Sequence, residues 1–156
     1  MKYKFLIHTD GGARGNPGPA AAGFIIEEKV ASPLAGEPRL GISRRDGGEY
    51  LGEITNNEAE YRAVILALKK LKHLIGSEKA KDSTAEVHVD SELLERQLNG
   101  EYKIKDKNIQ NLFVEIWNLK TDFKEITFRH IPRKKNTEAD KIVNQILDKE
   151  TSKLPF

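Results

Sequence analysis

Four acidic residues stand where the elements predicted from the chain meet. Asp10 closes a first strand and Asp90 a later one; Glu60 lies in the first turn or so of the first long helix, and Asp140 in the first turn of the last. In an open α/β sheet the carboxyl ends of strands line the crevice where ligands bind. If the two strands are neighbours and both helices start beside them, four carboxylates converge. Anions so placed repel one another, and hard divalent cations are the usual reason for such a cluster. Magnesium is typically held by a few carboxylates, with waters and substrate phosphates completing its shell. Two such ions, roughly 4 Å apart, activate a water and stabilise the leaving oxygen of a phosphoryl displacement. With no cysteine and no His-rich spacing, a zinc site is disfavoured. Each acid alone has a plainer reading, because Asp after a strand is a common turn residue and first-turn acids complement the helix dipole.

The elements that must position these acids are legible as periodicities. Residues 2–9 alternate polar and apolar and predict a strand; 11–23, GGARGNPGPAAAG, reads as turn chemistry passing into a second strand at about 21–29. Residues 32–48, rich in Gly and Pro, read as a long irregular hairpin connection before a third strand at about 49–54. Thr55 to Glu58 has capping-box spacing, and Ala59, Ala63, Leu66, Ala67 and Leu71 carry a helical period that should stop near Gly76. Residues 77–84 read as a loop, 85–90 as a strand, 91–100 as a short helix closed by Gly100, and 108–121 as an amphipathic helix. A strand over 125–131 and a helix over 137–149, capped by Asn136 or Thr137, complete the chain. The order β-β-β-α-β-α-α-β-α predicts three antiparallel strands followed by parallel additions: an α/β fold with a mixed sheet and helices packed on it.

Composition sets the outer limits. The chain has 156 residues, enough for one core, with 38% hydrophobic and 32% charged residues. We expect one domain over 1–150 and a short tail over 151–156. No apolar run is long enough to span a bilayer, and the first residues are interrupted too soon by His8 and Asp10 for a secretory signal. The absence of cysteine suits a reducing compartment, so a cytoplasmic location is the expectation. The net charge of +2 decides little, but Lys69, Lys70 and Lys72, then Lys103, Lys105 and Lys107, then Arg129, Arg133, Lys134 and Lys135, form clusters that suit either a phosphate backbone or a solvated face. The glycines of 11–23 fit neither nucleotide-cradling pattern.

Four segments carry a family resemblance: TDGGARGNPGPAAAG at 9–23, TNNEAEYRAVILAL at 55–68, VHVDSELLERQLNG at 87–100 and NTEAD at 136–140. In this order they resemble type 1 ribonuclease H, over nearly the whole chain. The resemblance implies the ribonuclease H-like fold, a five-stranded mixed sheet with helices on both faces. It also implies an endonuclease that cuts the RNA strand of an RNA–DNA hybrid, leaving a 5′-phosphate and a 3′-hydroxyl. Asp10, Glu60, Asp90 and Asp140 match the family's acids, which bind two Mg2+ ions, with Mn2+ accepted, Asp10 bridging both. Glu58 falls two residues before the family's acid, and its offset from Thr55 already assigns it to capping. By the same matching, Gly11 and Gly12 would approach ribose 2′-hydroxyls through their main chain, which a side chain would prevent. Asn16, Thr55, Asn56 and Asn57 would contact the backbone or the base edges of the minor groove. Asn56 and Asn57 also read as cap residues. The expected partner is a hybrid, with double-stranded RNA as a further candidate, no membrane, and a monomer.

The chain also departs from the family. GEYKIKDKNIQ is too short for the basic, Trp-rich protrusion of many bacterial members, so this is a compact form in which Lys103, Lys105 and Lys107 substitute in part. HIPRKKN is shorter than the family's His-containing loop; His130 reads as a strand residue, and Arg133 to Lys135 as phosphate contacts. His8 and His88 each lie two residues before a catalytic Asp, on one strand face, where ordinary packing is the expectation over tuning of the site. Two other classes stay in view: a hybrid-binding module that does not cut, which the four acids disfavour, and a resolvase or integrase core on the same fold, which the first two segments disfavour.

Overall fold

A computed structural model describes residues 3–29 and 39–153. Strands β1 (Tyr3–Ala13), β2 (Gly18–Lys29) and β3 (Arg44–Ile54) lead into helices α1 (Asn56–Ile75) and α2 (Ser77–Ala80). Strand β4 (Ser83–Val89), helices α3 (Glu92–Leu98) and α4 (Lys107–Lys120), strand β5 (Glu125–His130), a 3₁₀ turn over Arg133–Lys135 and helix α5 (Thr137–Ser152) follow. The sheet order is β3-β2-β1-β4-β5. β1, β2 and β3 are antiparallel neighbours, while β1–β4 and β4–β5 run parallel. The expected mixed five-stranded sheet is therefore present. Among the described residues no helix is long and apolar enough to cross a membrane.

Helices cover both faces of the central strands. Phe5, Ile7, Phe24 and Ile26 pack with α1, α3 and α4 in the main core, while Ala21 packs with Val143 and Leu147 of α5 in a second cluster. β2 is thus buried on both sides, as a strand between two helical layers must be. Two glycines set how closely the helices approach. A Cβ on Gly11 would lie 2.2 Å from the Ala59 carbonyl oxygen of α1, and one on Gly23 would lie 2.9 Å from that of Ala139 in α5. Missing side chains thus seat the N-terminal turn of each helix directly on the sheet.

Several expected boundaries move for that reason. The segment read as turn chemistry is mostly strand: Gly11, Gly12 and Ala13 pair with Ala22, Ala21 and Ala20, leaving only residues 14–17 to turn, with a cis bond between Asn16 and Pro17. Small residues here answer to helices pressed on both faces, a demand that local propensity does not reveal. β3 begins at Arg44 rather than about 49, because Arg44 to Gly48 pair with Glu27 to Gly23 despite two glycines. Of the connection expected over 32–48, residues 32–38 lie outside the described residues. Its later part is anchored where the buried Glu28 carboxylate accepts from the amides of Leu40 and Ile42. The loop expected at 77–84 contains α2, and β4 starts at Ser83. α5 continues to Ser152 rather than ending at 149, and residues 154–156 of the expected tail lie outside the described residues.

Candidate active site

Asp10 lies inside β1 rather than at its end, since pairing with β2 continues to Ala13. The parallel ladder to β4, however, stops at His8 and His88. Asp10 and Asp90 therefore both stand just beyond the last β1–β4 rung, where the strands part. α1 delivers Glu60 from one face and α5 delivers Asp140 from the other. The four acids do converge. Burial and then the charges of Asp90, Asp140 and Glu60, with a hydrogen bond to Asp140, push the Asp10 carboxyl up to about 8. Burial and the Asp90 charge likewise raise Glu60, to about 7, against hydrogen bonds from Ser91 and Asn56 and the nearby Arg133 guanidinium, which favour its ionised form. Burial and mutual repulsion thus favour the protonated forms of Asp10 and Glu60 in the uncompensated cluster, the response expected of crowded carboxylates.

The set is all oxygen donors, and its pent-up negative charge is what a divalent cation would relieve. Among the described residues no three His, Asp or Glu side chains already close into a metal cage. Magnesium is typically held by few protein ligands, with water and phosphate completing its shell, and these acids offer oxygen donors of that kind. Asp10, Glu60 and Asp140 open into a cleft of about 150 Å³ lined also by Gly11, Gly12, Asn56 and Arg133, while Asp90 lines an adjoining small hollow with Asp10, Glu60 and Ser91. A larger hollow of about 420 Å³, between α4 and β5 around Trp117, gathers no acid cluster and lies at the other end of β5. The smaller cleft is the more polar of the two and the one that Asp10, Glu60 and Asp140 line.

The remaining expected site residues divide. Gly11 and Gly12 line the cleft, and a side chain on Gly11 would collide with the Ala59 backbone of α1. Thr55 caps α1, its hydroxyl accepting from the Glu58 amide at 3.2 Å and donating to the Glu58 carboxylate at 3.1 Å. Glu58 is thereby the capping partner. Asn56 is turned inward: its Oδ1 accepts from the Ala13 amide at 3.2 Å and its Nδ2 donates to Glu60 at 3.0 Å. Asn16 accepts from the Asn56 amide at 3.0 Å, and Asn57 is exposed on the first turn of α1.

Of the basic clusters, Lys69 and Lys72 pair with Glu115 and Asp122, and Arg129 with Glu86. Lys103, Lys105 and Lys107 are exposed between α3 and the start of α4. His8 and His88 meet edge to face with centroids 5.0 Å apart, and His88 bonds Glu86 at 2.7 Å, so their contacts run along the sheet. His130 is exposed at the end of β5, whereas Arg133 reaches the cleft. Ser91 and Asn136 were not singled out as site residues. Ser91 both caps α3 and bonds Glu60. Its position next to Asp90 was the available signal. Asn136 gave no signal beyond its place before the last helix. It occupies the N-cap position of α5 yet makes no side-chain cap, contrary to expectation; its side chain points into the sheet.

Comparisons agree with this geometry. A family model described as Reverse transcriptase-like matches residues 8–146. The "Bifunctional protein Rv2228c" of Mycobacterium tuberculosis is 34% identical over 145 residues, which is 93% of this chain but 36% of that protein. "Ribonuclease HI" of Halobacterium salinarum is 35% identical over 144 residues, covering 90% of this chain and 63% of the relative. The chain therefore spans about a third of the length of the mycobacterial protein. Among solved structures, LC11-RNase H1, isolated from compost by a metagenomic approach, superposes with a TM-score of 0.78 at 41% identity, over 95% of this chain and 98% of that one. The same protein solved in complex with an RNA/DNA hybrid gives 0.78 at 40% identity, over 94% and 99%. With the sheet order, the converging acids and these likenesses together, the chain belongs to the type 1 ribonuclease H family.

Proposed function

We propose that this chain hydrolyses the RNA strand of RNA–DNA hybrids at the cleft headed by Asp10. The observation that carries the reading is the convergence of Asp10, Glu60, Asp90 and Asp140 just beyond the last β1–β4 rung, close enough for the other three to raise the Asp10 carboxyl. The hybrid-bound state of LC11-RNase H1 supports the substrate class. Asp10, Glu60, Asp90 and Asp140 would hold two divalent cations, Mg2+ first and Mn2+ in substitution. Such ions supply water activation and neutralise the leaving oxygen, giving 5′-phosphate and 3′-hydroxyl ends.

The chain's own residues do the positioning. Asn56 holds Glu60 against the end of β1, Arg133 places a positive charge where a phosphate would enter, and the main chain of Gly11 and Gly12 offers a smooth floor to ribose. Asn57 and the exposed lysines 103, 105 and 107 are free to meet the backbone of the duplex. Because basic side chains displace counterions, substrate binding should weaken as salt rises.

The deciding experiment is cleavage of hybrid labelled on either strand, with Mg2+, beside duplex DNA and duplex RNA, and with Asp10→Asn as control. RNA-strand cuts ending in 5′-phosphate, absent with chelator, are the expected result. Cuts in duplex RNA as well would widen the substrate class. Hybrid binding with no cut above the Asp10→Asn control, in Mg2+ or Mn2+, would replace the reading with a binding module.

A further inference from the structure

Asn136 is 1% exposed and sits where three parts of the site meet. Its Nδ2 donates to the Thr9 carbonyl at 2.8 Å and to Asp90 Oδ2 at 3.0 Å. Its own carbonyl accepts from the Asp140 amide at 3.1 Å. One residue therefore touches the strand that carries Asp10, the Asp90 carboxylate, and the first turn that carries Asp140.

The side chain does this against its local interest. Asn at an N-cap ordinarily accepts from a helix amide two or three residues on, and this one does not. Both its partners are acceptors, so the amide cannot flip; the NH2 must face them, which leaves Oδ1 buried with no hydrogen-bond partner among the described residues. An Asp would cap the helix as well but would set a carboxylate against Asp90 and the Thr9 carbonyl. A Ser is too short to span both. The chemistry selects a neutral side chain with two donors on one atom.

We propose that Asn136 is the positioning residue of this site: its amide orients the Asp90 carboxylate and locks the Asp10 strand to the Asp140 helix. The proposal rests on the reading of these acids as a divalent-cation site. A partner that orients a ligand in this way changes metal affinity or turnover by about 10- to 100-fold when removed.

The test measures Mn2+ binding by calorimetry, the rise in melting temperature on adding Mn2+, and kcat and KM on hybrid, for the parent, Asn136→Ala and Asn136→Ser. The expected result is a folded Asn136→Ala with Mn2+ affinity and kcat reduced by about 10- to 100-fold and KM little changed. Asn136→Ser, keeping one donor, should recover part of the loss. A folded Asn136→Ala that binds Mn2+ and turns over like the parent would overturn the proposal, and so would failure of both variants to fold, which would make Asn136 a residue of the fold alone. Asp90→Asn separates the two levels. If the parent and Asp90→Asn respond alike to Mn2+, the cation-site reading itself fails; if only the Asn136 variants match the parent, that reading stands and this proposal falls.

Discussion

Two asparagines flank β1, Asn56 opening α1 and Asn136 preceding α5, and they work differently. Asn56, partly exposed at the rim, ties Glu60 of its own helix to the Ala13 amide. Asn136, fully buried, ties Asp90 to the Thr9 carbonyl across separations of 46 and 127 residues. On the α1 side the acid and its support lie one helical turn apart, so the pair forms whenever the helix does. On the α5 side the support exists only when strand, turn and helix have all assembled. One half of the site is built by a local element, the other by the whole fold.

That contrast can be broken in several places. The largest effect should be Asp10→Asn, which removes the acid both halves share: cleavage of hybrid should fall to background while circular dichroism stays native. Retained parental turnover would undo the assignment of both halves at once. Next, Gly11→Ala should destabilise by about 3 kcal/mol or more, since its methyl would enter the Ala59 backbone. Gly12→Ala, whose methyl would meet the Val143 side chain at an ordinary 3.5 Å, should leave urea midpoints nearly unchanged. Equal effects would show that the close approach of α1 is not what requires glycine.

The asparagines themselves should differ in the same direction. Asn136→Ala leaves the part-buried Asp90 carboxylate and the buried Thr9 carbonyl short of a donor, about 1–3 kcal/mol, while Asn56→Ala at the wetter rim should lose about 0.5–1.5 kcal/mol. Denaturant curves that rank them the other way would reject the comparison. A smaller effect concerns pH. Asp10 binds its proton more tightly folded than unfolded, so without divalent cations folding stability should decline as pH rises from about 4 towards 8, and Asp10→Asn should flatten that slope. A melting temperature that rises through the same window in the parent would contradict the raised carboxyl. Smallest of all, replacing Lys103, Lys105 and Lys107 together by Ala should raise KM a few-fold and shallow its salt dependence, with kcat unchanged. An unchanged salt slope would remove these lysines from the substrate's path.

How much of this was legible beforehand follows the same divide. The Thr55–Glu58 capping box, α1 and its Glu60 could be read directly, because spacing along a helix is spacing in space. The five strands were expected in order, and so was the mixed sheet. Residues 11–13 and 18–20 pair as strand where turn chemistry was expected, because Gly and Ala carry no strand signal of their own; at Gly11 and Gly23 smallness answers to Ala59 and Ala139 pressing from opposite faces. Asn56, expected to contact substrate or to serve as a cap residue, lines the cleft with its amide on Glu60, and Asn136, one of two residues expected to cap α5, stands at its N-cap with its side chain on Asp90.

The sequence by itself determined which residue types were available for the site: four oxygen-donor acids, no thiolate, and the family's segments in order. It also determined the helices that carry Glu60 and Asp140, since these rest on local hydrogen bonds and side-chain period. Only the tertiary structure decided that β1 and β4 part after His8 and His88, that both helices land at that point, and that Asn136 turns inward. Those outcomes depend on pairings between residues far apart in the chain, whose free energy appears only when both partners are already in place.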